Sequence, residues 1–294
     1  MLNSDGYYVD ATFGRGGHAR AMLARLSAKG RLLALDRDPE AVAAGQQLAE
    51  SDVRFNIIHA PFSRMAEALA ARGWEQVDGV GFDLGVSSPQ LDEPGRGFSF
   101  QFEGPLDMRM DPSSGQPLSQ RLQRVSEREL ARILREFGDE RFAGRIARSI
   151  LHALAEGVLV DTTALENVCF HAVPRSARHG RIHPATRTFQ ALRMWVNDEI
   201  AEIEHGLDAA VEYLRPGGRI AAISFHSGED RLVRDVIERQ VNPCTCPPEF
   251  PMCACGKVQT LKWVRKKPLR ASEEEVDANP RARSARMRVA ERVT

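Results

Sequence analysis

The sequence predicts an α/β protein, a doubly wound and mostly parallel sheet interrupted by an inserted all-α domain. Two observations carry this reading. Short β-prone runs alternate with helical segments over the first part of the chain and again near its end, and between them lies a stretch with helical periodicity only. The boundaries follow as 1–114 for the first part of the sheet domain, 115–185 for the helical insertion, and 186–294 for the second part with a basic C-terminal tail. A chain of 294 residues is long enough for one large domain with a small lobe.

Tyr7-Tyr8-Val9-Asp10 is a short β-prone run ending in the glycine-rich turn Gly14-Arg15-Gly16-Gly17, and a helix-prone run from Ala19 follows. Arg31 to Leu35 reads as a buried parallel strand closing on Asp36, and Pro39 suits the first turn of the next helix. Val53 to His59 is a third strand, followed by Pro61-Phe62 and a helix that Ser63 is expected to cap. Val77 to Phe82 is a fourth strand ending on Asp83.

Periodicity stops between Gly85 and Pro117, where Gly and Pro recur among Phe98, Phe100, Phe102, Leu106, Met108 and Met110. This apolar content argues against disorder, and the segment is expected to be a substrate-facing loop. Ser126-x-x-Glu129 and Thr163-x-x-Glu166 have the form of capping patterns, with helices ahead of Phe137, through Ile150, and up to Pro174. One long helix is expected to carry Leu192, Trp195, Val196, Ile200, Ile203 and Leu207. Pro216-Gly217-Gly218 then turns the chain into a strand at Ile220 to Phe225.

Forty basic and forty acidic residues cancel, yet their distribution is uneven. Phe170 to Asn197 holds no acid but contains Arg175, Arg178, Arg181, Arg187 and Arg193, and the tail adds basic residues from Lys262 to Arg288. Such segments can neutralise nucleic-acid phosphates or form a solvated basic face. No apolar run is long enough to span a bilayer, and the first residues carry neither a basic lead nor an apolar stretch. The expected location is the cytoplasm, with no membrane partner.

A glycine-rich turn after the first strand brings backbone close to a ligand, and an acid ending the second strand can hold a ribose. Gly14 to Asp36 has that spacing. Gly14-x-Gly16-x-x-Ala19 also satisfies a dinucleotide fingerprint, so a nicotinamide or flavin oxidoreductase stays open on these residues. Asp10 ahead of the glycines, Asp83 ending the fourth strand and the Pro-Gly-Gly turn favour S-adenosylmethionine.

Seven stretches then carry a resemblance over nearly the whole chain. They are Val9–His18, Asp83–Asp92, Gly97–Phe100, Pro105–Met110, His183–Gln190, Ile223–Ser227 and Asn279–Ser284. Together they resemble the bacterial ribosomal small subunit methyltransferase H family, also called MraW. The resemblance implies a class I (Rossmann-like) S-adenosylmethionine-dependent methyltransferase sheet with an inserted helical domain, acting on N4 of a cytidine in the decoding region of 16S rRNA. It places S-adenosylmethionine against Gly14, Gly16, Gly17 and His18, with Asp36 on the ribose and Phe62, Asp83 and Gln90 completing the pocket. The family's segment with a His-x-Pro-Val motif is not found ahead of the first strand here, and a lid over the cofactor is expected to be missing with it. Gly228 stands where the family usually carries Leu.

Methyl transfer needs in-line approach to a sulfonium methyl, so positioning and exclusion of water supply much of the catalysis. Asp83 is the expected catalytic residue, accepting hydrogen bonds from the cytosine amine. Phe98, Phe100 and Phe225 are candidates to stack on the extruded base or to belong to the core. His18 and His226 are not assigned as bases, and Asp107 with Arg109 either ties the loop or touches RNA. Cys244, Cys246, Cys253 and Cys255 form a possible metal clip or a reduced proline-rich loop, with Cys169 apart and no metal assigned to the active site. Expected partners are 16S rRNA in the small ribosomal subunit and a second copy of the chain. A methyltransferase acting on another nucleic acid or a protein, and a non-catalytic RNA-binding assembly factor, remain the alternatives.

Overall fold

The computed structural model describes residues 3–293 except 181, 248–251 and 253. The chain divides into two compact units, one made of Met1–Gly85 with Ile200–Thr294 and the other of Val86–Glu199. Arg181 and Cys253, both named above, lie outside the described residues.

The first unit is built on β1 (Tyr7–Asp10), α1 (Gly17–Leu23), β2 (Arg31–Asp36), α2 (Pro39–Ser51), β3 (Phe55–His59), α3 (Met65–Ala70) and β4 (Val77–Asp83). The second unit holds α4 (Ser88–Asp92), α5 (Leu118–Leu122), α6 (Glu127–Gly138), α7 (Ala143–Ala155), α8 (Thr162–Ala172) and α9 (Pro184–Val196). The chain then returns to the sheet through α10 (Glu199–Tyr213), β5 (Leu214–Ser224), α11 (Ser227–Val241), β6 (Leu261–Trp263), β7 (Leu269–Arg270), α12 (Glu273–Ala278) and β8 (Arg286–Arg292).

The strands run in the order β3-β2-β1-β4-β5-β8-β6, with β7 also paired to β8. Strands β1 to β5 are parallel to their neighbours, whereas β8 pairs antiparallel with β5, β6 and β7. A parallel sheet buried on both faces needs continuous apolar strands, and Leu32 to Leu35 are all buried. The order reverses at β1, which lies between β2 and β4, and in open sheets of this kind ligands bind outside the carboxyl ends of the strands at that reversal. Helix α2 starts where expected: the Asp38 side chain accepts a hydrogen bond from the Glu40 N–H, and Pro39 needs no partner in the first turn.

The second unit is helical around its own core of Leu130, Leu134, Ile146, Ile150, Leu165 and Phe189. It starts earlier and ends later than the expected 115–185 because the irregular segment after Gly85 supplies part of that core. Phe98, Leu106, Met108 and Met110 are buried there, so the expected substrate-facing loop directs these side chains inward. Arg109 forms a two-bonded pair with Asp107, with both N···O distances 2.8 Å, which assigns that pair to holding the loop.

Four local expectations are corrected. Ser63 caps no helix: it lies in a 3-10 turn, Phe62–Arg64, and its hydroxyl donates to Glu202 at 3.0 Å. Helix α8 is capped by Asp161, which accepts from the Ala164 N–H, two residues ahead of the Thr163 pattern. The expected long helix is two helices broken at Asn197-Asp198, where Asp198 takes a positive φ of 51°. The buried Asn197 amide causes the break to hold, donating to the Met108 and Arg193 carbonyls and accepting from the Met110 N–H, while Arg193 pairs with Glu199 across it. Pro216-Gly217-Gly218 lies inside β5, where the register against β4 shifts between Val77 and Gly79.

Candidate active site

Three acids stand at the carboxyl ends of adjacent strands: Asp36 on β2, Asp10 on β1 and Asp83 on β4. The turn after β1 binds them together. Thr12 N–H donates to Asp10 Oδ1 at 3.3 Å, the Asp83 N–H donates to Thr12 Oγ1 at 2.6 Å, and the Gly14 N–H donates to Asp36 Oδ2 at 2.7 Å. Asp36 also accepts from the Asp38 N–H at 2.8 Å, so one carboxylate joins the glycine turn to the start of α2.

Glycine is required in this turn for steric reasons. Gly14 and Gly16 have φ of 55° and 75°, and a Cβ on Gly16 would come within 2.6 Å of the Phe13 ring. Gly17, in contrast, faces open space. His18, on the first turn of α1, is exposed, and its Nε2 lies 3.5 Å from Asp83 Oδ2. That carboxylate raises the histidine above its ordinary range, against the opposing effect of partial burial.

Asp10 is 3% exposed. Burial is the main cause that pushes its carboxyl up to about 7, opposed by the Thr12 N–H and by His18 and reinforced by the Asp36 and Asp83 charges. Burial likewise raises Asp36. Asp10 Oδ2 and Asp83 Oδ1 are buried oxygens without a hydrogen-bond partner among the described residues. Unpaired buried oxygens are costly, and two at the mouth of a sheet's reversal point suit a ligand carrying cationic or N–H groups.

Phe62 packs edge-on against Phe82 with ring centroids 5.6 Å apart, and a Cβ on Gly206 would collide with its ring. The fold thus brings Gly14, Gly16, Gly17, His18, Asp36 and Asp83 to one end of the sheet in the first unit. Gln90 belongs to the second unit, where it is buried and its Oε1 accepts the Ser87 N–H at 2.9 Å in the capping box of α4. Thr12 was missed by the sequence reading. Its only signal is its place between Asp10 and the glycines, and its hydroxyl is what ties β1's turn to Asp83.

The remaining candidates separate by burial. Phe98 is core, and Phe100 is packed between His183 and Phe189 at 4.9 and 5.0 Å, whereas Phe225, just past β5, is half-buried and makes no ring contact among the described residues. His226 is engaged: its Nδ1 accepts the Glu229 N–H that starts α11, and its Nε2 lies 2.8 Å from the fully buried Glu229 carboxylate. Of the basic stretch, Arg193 is paired with Glu199 and Arg178 lies over Phe170, bonded to the Val173 and His171 carbonyls; Arg175 is exposed. Of the tail, Arg288 is buried against Asp230. Among the described residues no helix is long and apolar enough to cross a membrane.

The model of the MraW methylase family matches residues 1–293. A protein of Aromatoleum aromaticum named ribosomal RNA small subunit methyltransferase H is 51% identical over 291 residues, covering 99% of this chain and 92% of its own. Proteins of the same name from Methylococcus capsulatus and Heliobacterium modesticaldum are 50% and 47% identical, covering 99% and 98% of this chain and 96% and 93% of their own. A match across the full length at this identity establishes kinship: the chain belongs to the MraW methylase family, and it is a methyltransferase with S-adenosylmethionine as its methyl donor.

Proposed function

We propose that this protein transfers a methyl group from S-adenosylmethionine to N4 of a cytidine in the decoding region of 16S rRNA, in the cytoplasm and on the small ribosomal subunit. The observation that carries the reading is the strand-end acid cluster with two buried oxygens, on Asp10 and Asp83, that lack a hydrogen-bond partner among the described residues, beside a glycine turn that faces open space at Gly17. The names of the relatives support the small-subunit RNA as substrate.

The donor supplies an already activated methyl group on a positively charged sulfur. The residues of this chain have to bind it, orient the acceptor and keep water out. In this reading Gly14, Gly16 and Gly17 admit the donor by having no side chain in the way, and Asp36 accepts from ribose hydroxyls on lone pairs left by its backbone hydrogen bonds. Phe62 bounds the base-binding side. Asp10, held neutral or charged by small changes in its surroundings, complements the donor's cationic part.

The acceptor amine has its lone pair delocalised into the cytosine ring. Asp83 Oδ1, partnerless in the described structure, accepts an N–H of that amine and stabilises the positive charge that develops on nitrogen as the methyl group arrives. His18 keeps the other Asp83 oxygen oriented. Phe225 offers a face to a base taken out of its stack, and exposed arginines such as Arg175 hold the RNA backbone.

The test is incorporation of labelled methyl groups into small subunits from a strain lacking the modification, followed by mapping of the nucleotide. The expected result is one label on N4 of a single cytidine of 16S rRNA. Label on another base or on protein overturns the substrate assignment, and RNA binding without label overturns the catalytic one.

A further inference from the structure

Between α11 and β6 the chain makes an excursion that the proposed methyl transfer does not use. Its ends meet: the Thr260 N–H donates to the Gln240 carbonyl at 3.1 Å, and the Thr260 hydroxyl donates to Gln240 Oε1 at 2.7 Å. Among the described residues from 242 to 260 there is no helix or strand and no buried side chain, while Met252 and Val258 are 80% and 69% exposed. A loop of this length without a core has little of its own to hold it in one conformation.

What it does have is sulfur. The Sγ atoms of Cys244, Cys246 and Cys255 all lie within 4.8 Å of one another. Four ligands at a Zn–S distance of about 2.3 Å on a tetrahedron are about 3.8 Å apart, so the three thiols need to close by only about 1 Å to share one ion. Cys244 and Cys246 come from the outgoing limb, Cys255 from the returning limb. The Ala254 N–H already donates to Cys246 Sγ at 3.3 Å, a bond that favours the thiolate over the thiol. Gly256, directly after Cys255, has φ of 65° and open space around its Cα, the conformation that lets the chain turn sharply away from a ligand residue.

We propose that Cys244, Cys246 and Cys255 bind a structural zinc ion that clips this excursion shut. Each thiol gives its proton to solvent as its sulfur takes up a Zn–S bond, so closure of the site releases one proton per coordinated thiol with no change of oxidation state. Zinc suits the site because sulfur ligands select it over the hard ions Mg²⁺ and Ca²⁺, and because it needs no redox partner. The fourth position is taken by a further thiolate or by water. The ion's effect is to replace the missing apolar core, as metal binding does in other small segments that cannot fold on burial alone.

The experiment uses the full chain, expressed with zinc in the medium and purified without chelators. Elemental analysis is expected to find about one zinc per chain, released when a mercurial reagent blocks the thiols and read by a chromogenic chelator. Exchange with Co²⁺ is expected to give the visible and near-ultraviolet bands of tetrahedral thiolate coordination. A chain with Cys244, Cys246 and Cys255 all changed to Ser should fall below about one tenth of an equivalent, whereas Cys169→Ser, at a buried cysteine in the second unit, should keep its zinc. Wild-type protein without stoichiometric zinc, or a triple variant that keeps it, overturns the proposal, and the wild-type measurement stands whether or not the triple variant folds.

Discussion

Two buried aspartates of the same sheet unit face opposite circumstances. Asp230, on α11, is 7% exposed and held by Arg288 through bonds of 2.6 and 2.9 Å, with Arg286 at 3.3 Å. Burial pushes its carboxyl up, yet the two guanidinium groups outweigh burial and leave it below the usual carboxylate range. Asp10, at the end of β1, is as deeply buried and has no arginine or lysine partner among the described residues, so burial prevails and its carboxyl rises to about 7. An acid with a built-in countercharge is part of the framework. An acid left without one at the reversal of a parallel sheet is waiting for a ligand that brings positive charge.

The comparison is broken most severely by removing the countercharge. Arg288→Ala together with Arg286→Ala leaves Asp230 as an uncompensated buried charge, and a loss of about 3–5 kcal/mol in urea unfolding is expected at pH 8. A loss below about 1 kcal/mol would mean that Asp230 is neutral or reaches solvent. Asp83→Asn is expected to lower single-turnover methylation by about 10²-fold or more, with the thermal transition of the protein little changed. Turnover near that of the wild type removes Asp83 from the mechanism.

Asp10→Asn tests the other side of the comparison. Calorimetry is expected to show S-adenosylmethionine binding weakened by about tenfold, with stability at pH 8 at least equal to the wild type because a buried charge is gone. The smallest effect concerns pH. Asp10 binds its proton more tightly in the folded chain than in the unfolded one, so the folded state holds the extra proton between about pH 4 and 7. Without donor, its contribution to stability is therefore greatest at low pH, declines as pH rises through that window, and levels off above about 7. A cationic donor favours the carboxylate, so its dissociation constant should rise as pH falls below 7, by at most about tenfold per unit. In Asp10→Asn that slope should vanish; an unchanged slope assigns it to another group.

Much of the sheet was legible because parallel strands are written as continuous apolar runs and their ends as acids or glycines. Arg31–Asp36 and Val77–Asp83 are strands with those bounds. The glycine turn was legible for the same kind of reason, since Gly16 has no room for a side chain. The break at Asn197-Asp198 was not, because helical periodicity continues across it and the cause is a set of bonds from Asn197 to Met108 and Met110, far away in the chain. The segment from Gly85 to Pro117 was misread for a related reason: irregular backbone with buried side chains has no period, so inward-facing Met108 looks like an outward-facing loop residue.

Local sequence, then, determined which residues form strands, where the glycines must stand, and which acids end the strands, since these depend on neighbours in the chain and on backbone sterics. Only the tertiary structure decided that Thr12 links Asp10 to Asp83, that Asp230 is neutralised while Asp10 is not, and that cysteines from the two limbs of one excursion approach one another. Those outcomes depend on distances between residues remote in sequence, which folding sets and which no spacing along the chain records.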